Sequence, residues 1–127
     1  MNKKKGVVFM AALLWTLLII ILLIIPGRDI PPGPKIPKLD KIAHVFLFGV
    51  QVFLWSKFMS ESKQNDLPRW FLVICLISSA FGIMMEFVQK YLVSNRSFET
   101  EDIIADIVGS VMGWLLYRFF FYPKQQR

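Results

Sequence analysis

Apolar positions fall in four long blocks separated by short polar breaks. The first, VVFMAALLWTLLIIILLII from Val7 to Ile25, is a 19-residue run broken only by Thr16. At about 1.5 Å per residue such a run crosses a hydrocarbon core of roughly 30 Å. Three further blocks follow, at about 42–59, 70–92 and 103–122. Four spans leave little chain for anything else. The pattern therefore predicts an all-α membrane protein, a four-transmembrane-helix bundle occupying residues 1–127 as a single domain.

The breaks have distinct characters. PGRDIPPGPKIPKLDK, after the first block, holds five of the seven prolines and predicts a stiff, extended tether. SKFMSESKQNDLPR is an ordinary polar connection, with Pro68 marking the start of the third helix. Lys3, Lys4 and Lys5 ahead of the first block resemble the start of a signal peptide. The apolar segment is too long for one, however, and PGRDIPPG lacks a small-x-small cleavage site, so the block is expected to be an uncleaved anchor.

Composition agrees. At 55% hydrophobic and 15% aromatic, the 127-residue chain is too apolar for a water-soluble domain. The net charge of +6 flanks the spans and forms no stripe, which favours a role in membrane orientation over nucleic-acid binding. Four spans put both termini on one side. Placing them in the cytoplasm gives that side Lys3, Lys4, Lys5, Lys57, Lys63, Arg69, Arg118, Lys124 and Arg127, against Arg28, Lys35, Lys38, Lys41, Lys90 and Arg96 outside. The expected location is the cytoplasmic (inner) cell membrane. The lone Cys75 can form no internal disulfide and reads as packing.

On this topology the unusual polar residues share one depth, near the outer surface. Asp40, Lys41 and His44 open the second span. Glu86, Gln89 and Lys90 lie near the end of the third, and Arg96 sits in the loop after it. Asp102, Asp106, Gly109 and Gly113 form one stripe of the fourth helix. A carboxylate facing lipid at such depth costs of order 2.5–3.5 kcal/mol on insertion scales, so these groups are expected to face one another. Gly109-xxx-Gly113 would let the fourth helix approach closely, with Ser78, Ser79 and Gly82 giving the third a comparable face. Several residues also have plainer readings. Asp102 with Thr100 and Glu101 fits a helix N-terminus, Lys41, Lys90 and Arg96 fit headgroup anchors, and His44 and Gln89 fit satisfied structural side chains. Glu86 and Asp106 are deep enough to demand a partner. Lys41–Asp106 and Arg96–Glu86 are two of the ion-pair matchings the spacing allows.

The cluster admits several chemistries. Lys41 and Arg96 would contact phosphate or carboxylate of an anionic or amphipathic envelope ligand, while His44, Glu86, Asp102 and Asp106 position groups or carry protons. His44 with buried acids is equally suited to enzymatic acid–base work. The same four side chains offer nitrogen and oxygen ligands to a divalent metal, although no cofactor is predicted and HExxH, serine-elbow and cysteine-nucleophile signatures are missing. A proton-coupled carrier would need a path through the apolar inner halves, which requires a homo-oligomer. A structural role in holding helices together remains the alternative to all of these. DKIAH at Asp40–His44 also echoes DIIAD at Asp102–Asp106, too short a match to establish a repeat.

Asp40-Lys41 with His44 and Phe48, Glu86-x-x-Gln89, Arg96, Asp102, Asp106, Gly109 and Gly113 together resemble the VanZ-like family, over about two-thirds of the chain. The resemblance does not extend to the first span. It departs at Asp106, where the family more often has asparagine, and at Val45, which replaces a common phenylalanine. What it implies is a small multi-pass bacterial membrane protein, and the outward placement of the polar cluster adds the expectation that it acts on or binds cell-envelope components such as lipids or cell-wall precursors. The family's namesake is associated with low-level teicoplanin resistance. Alkaline-phosphatase fusions at Lys35 are expected to be active and those at Gln64 silent; activity only at Gln64 would reverse the orientation.

Overall fold

The computed structural model describes residues 2–33, 36–62 and 65–122. Lys35, Lys63, Lys124 and Arg127, which enter the charge bias, and Gln64 lie outside them. Four helices account for the fold, and no strand occurs among the described residues: α1 (Lys3–Ile24), α2 (Leu39–Ser60), α3 (Leu67–Leu92) and α4 (Thr100–Leu116). All four, α4 with its extension, are long and apolar enough to cross a membrane, so this is a multi-pass membrane protein.

Each helix begins about three residues ahead of its apolar block, because the polar flank is itself helical. Asn2 caps α1, its side chain accepting from the Lys5 N–H at 2.8 Å. Lys38 and Asp66, both with positive φ, turn the chain into α2 and α3, and Pro68 sits in the first turn of α3. The end of α4 is irregular: after Leu116 it widens into a π-helix over Tyr117–Phe121. There Tyr117 packs edge-on against Phe53 and Phe71 and meets the Ser60 hydroxyl at 2.6 Å.

α2 and α4 run parallel and make the most extensive contact in the bundle. α3 packs against both, whereas α1 rests on α2 and touches α3 over little of its length. Burial is more polar than in a soluble protein, although Ile19, Phe48 and Phe71 are also fully buried. Ser56, Ser78, Ser110, Gly82 and Asp106 are inside, while Leu76, Ile77, Phe46 and Phe120 are each more than 60% exposed. Lipid tails are as apolar as leucine, so nothing drives large apolar side chains inward; close packing and hydrogen bonding hold the helices instead.

The closest packing is between backbones. A Cβ on Gly109 would lie 2.3 Å from the Val45 carbonyl oxygen, and one on Gly113 2.4 Å from that of Gly49. The small-residue stripe of α4 thus seats on α2, with Gly49 as its counterpart. The small face of α3 accommodates a side chain instead of a backbone. Gly82 leaves room there for Asp106, whose Oδ2 would be 2.6 Å from a Cβ at that position. Replacing Gly109 with leucine is expected to force α2 and α4 apart and lower stability by about 1–3 kcal/mol or more, read from unfolding in detergent micelles.

Candidate functional site

The polar cluster is assembled at the end of the bundle where α2 and α4 begin and α3 finishes. Lys41 is its hub. The ammonium contacts Asp40 at 2.8 Å, Asp102 at 2.5 Å and Glu99, the residue just before α4. An ammonium has three N–H donors and here three carboxylates surround it, so none is left for a ligand. Of the matchings the spacing left open, Lys41–Asp106 is not the one formed. Nor does Asp102 act merely as a helix-terminal charge, because it is buried against Lys41 from the neighbouring helix.

One turn deeper, His44 takes Asp106. Its Nδ1 lies 2.7 Å from Asp106 Oδ1, with both residues buried. Against an ionised Asp106, Nδ1 is the donor, and with the ring neutral Nε2 carries the free lone pair. Nε2 points toward Asp102 Oδ2 at 3.7 Å, beyond hydrogen-bond reach. Asp106 Oδ2 has no hydrogen-bond partner and packs against Gly82. From α3, Glu86 accepts the Glu99 backbone N–H at 3.0 Å and lies within electrostatic reach of His44 and Asp102. It does not meet Arg96, so the Arg96–Glu86 matching is not formed either.

Arg96 and Gln89 belong to a different feature. Arg96 donates from Nε to the Ile25 carbonyl and from a terminal nitrogen to that of Leu22, both at 3.0 Å. Gln89 donates to the Leu23 carbonyl at 3.0 Å. These are carbonyls at the C-terminus of α1, which has no basic residue in its own last turn. A guanidinium there satisfies orphan acceptors and complements the helix dipole. Lys90 also lies apart, over the Tyr91 and Phe98 rings.

The site is thus strongly acidic. Among the described residues, Asp40, Glu86, Glu99, Asp102 and Asp106 gather around Lys41 and His44, and Arg96 is turned away to α1. For a metal, the acids brought closest are Asp40, Glu99 and Asp102, with ligand atoms within 4.8 Å of one another. Lys41 sits among them, so a cation there would compete with its ammonium. The set expected from the sequence, His44 with Glu86, Asp102 and Asp106, does not converge on one point among the described residues. Chemically, the arrangement offers an imidazole oriented through one nitrogen, free at the other, beside two further acids. That is the geometry of an acid–base group.

The sequence over residues 7–121 matches the VanZ/LLP1 family. The chain belongs to the VanZ/LLP1 family. The match takes in α1, beyond the Asp40–Gly113 pattern, and the contacts of Gln89 and Arg96 with its end give that helix a place in the assembly. An uncharacterized protein of Schizosaccharomyces pombe is 30% identical over 100 residues, covering 77% of this chain and 58% of the relative. The chain thus spans rather more than half the length of that relative. No solved structure is significantly similar.

Sequence reasoning missed Glu99 and Gly49. The only signal for Glu99 was the run of acids ETED, and for Gly49 its position five residues after His44. The cluster's hub and its accessory cap predict different sensitivities. Lys41→Met leaves Asp102 beside Glu99 without a cation and is expected to cost about 3 kcal/mol. Arg96→Met exchanges partly exposed hydrogen bonds for water and is expected to cost roughly 1 kcal/mol. Paired melting curves in detergent would compare them.

Proposed function

We propose that this VanZ/LLP1 protein carries a membrane-embedded acid–base site, facing outward from the cytoplasmic membrane, that binds or acts on the polar end of a cell-envelope component. The observation that carries this reading is His44. Asp106 orients its ring through Nδ1, while Nε2 makes no hydrogen bond and faces Asp102 Oδ2 at 3.7 Å, with Glu86 within electrostatic reach. A ligand hydroxyl or amine reaching Nε2 would give up its proton there, and Asp102 would attract the resulting imidazolium.

The acid surplus bears on the ligand. Phosphate or carboxylate would meet a field of like charge, the Lys41 donors are taken by carboxylates, and Arg96 is turned away to the carbonyls of α1. An uncharged hydroxyl or a cationic amine on an envelope lipid or cell-wall precursor fits better than the anionic group favoured by the sequence alone. The depth of the cluster, at the ends of the spans, suits a group carried at the membrane surface.

The test is complementation in a host lacking its own copy, read as teicoplanin susceptibility. His44→Gln is expected to insert and melt like the parent yet to lose function by at least about 100-fold in the rate-limiting step. Asp106→Asn keeps an oxygen for the Nδ1 proton and is expected to retain part of the function. Full complementation by His44→Gln would end the proposal, and loss of folding along with function would indicate a purely structural cluster.

A further inference from the structure

A second feature, sharing no residue with the His44 cluster, lies at mid-depth. A cavity of about 410 Å³ is walled by α1, α2 and α3, with Thr16, Gln51, Trp55, Ile77, Ser78 and Phe81 among its lining residues. It opens sideways, because α1 and α3 scarcely touch and Ile77 at its mouth is exposed. Gln51 lies 12 residues after Leu39 and 9 before Ser60. These separations put it about 18 Å and about 14 Å from the two ends of α2, near the middle of the bilayer.

Gln51 is only 6% exposed, and one of its amide atoms has no partner. Oε1 is 3.0 Å from the Thr16 hydroxyl, which also receives the Trp55 indole N–H at 3.1 Å. The Gln51 amide nitrogen makes no hydrogen bond. Thr16 also donates to the Ala12 carbonyl at 2.9 Å, and turning the amide over would pair the nitrogen with the Thr16 oxygen and strand the amide oxygen, so either orientation leaves at least one polar atom unused. Ser78 is similar. Ser110 donates its proton to the Asp106 carbonyl at 2.8 Å, so the 3.2 Å Ser78–Ser110 contact uses the Ser78 proton and leaves Ser78 oxygen as an acceptor. A polar atom buried at this depth without a partner is costly, since lipid supplies none.

We propose that the cavity binds a neutral, hydroxyl-bearing lipid, a long-chain alcohol. No ionisable side chain lines it, which excludes a charged head. A hydroxyl both donates and accepts, so it satisfies Gln51 in either orientation and can donate to Ser78. The alcohol loses its hydration on leaving the interface, and these two side chains replace it. Trp55, Ile77 and Phe81 cover the adjoining carbons, and the remainder of the chain leaves through the lateral opening. The volume is within the range of small-molecule sites, about 300–1,000 Å³.

Photolabelling of the full chain in nanodiscs with a diazirine-bearing hexadecanol, and with the matching hexadecane, tests this. The alcohol probe is expected to label residues 51–59 and 74–81, with competition by unlabelled hexadecanol and none by hexadecane. Gln51→Leu is expected to lower that labelling at least about fivefold, the value of one hydrogen bond, with helical circular dichroism unchanged. Ile77→Trp, at the exposed mouth where folding tolerates it, is expected to block labelling at Gln51 and Ser78. Equal labelling by the alkane probe would overturn the proposal, as would alcohol labelling indifferent to both substitutions: the cavity would then be an ordinary gap filled by acyl chains.

Discussion

Charged and imidazole side chains that lipid cannot solvate hold this bundle in its arrangement. Lys41 and His44 on α2 meet Asp102 and Asp106 on α4 at matching heights, and these pairs set the register of the two parallel helices. Once that register exists, Gly109 comes opposite Val45 and Gly113 opposite Gly49, so the backbones can touch. The short match between DKIAH and DIIAD acquires a spatial sense, because the two segments lie side by side. In water the same pairs would compete with hydration; in a membrane the alternative is an unsatisfied charge in hydrocarbon.

The remaining helices are attached by polar contacts of a different kind. α3 brings Glu86 to the Glu99 backbone and Gly82 to the side of Asp106. α1, whose apolar run is broken only by Thr16, is held at its C-terminus by Gln89 and Arg96 and along its middle by Trp15, Thr16, Gln51 and Trp55. The Trp15 indole donates to the Leu47 carbonyl at 2.9 Å, tying the two helices directly. Large apolar residues face outward on every helix, as a lipid solvent permits.

These contacts divide the polar residues into two populations. Arg96 and Gln89 satisfy carbonyls that α1 leaves open. Asp106 Oδ2, Ser56 Oγ and Trp114 Nε1 are buried without a hydrogen-bond partner, and His44 Nε2 and one amide atom of Gln51 also make no hydrogen bond. Buried polar atoms usually have partners, so those that lack them mark where a ligand, a proton or a water has a place. Both proposals rest on atoms of this second kind.

The four spans, the polar layer and the membership of Asp40, Lys41, His44, Glu86, Asp102 and Asp106 in it were legible in the chain itself. Hydrophobic run length and helical spacing are local properties, and the aversion of lipid to charge applies whatever the fold. Which acid meets which base was not legible. Arg96 has the same charge as Lys41 and a similar depth, yet it turns to α1 because the end of that helix comes within its reach. Glu99 enters the site only because the loop before α4 lies over Lys41, and Gly49 matters only because Gly113 faces it. Partner choice, the sign of the site's net charge and the mid-depth cavity depend on distances between helices far apart in the chain. Tertiary packing alone decides them, since a hydrogen bond or backbone contact exists only within a few ångströms.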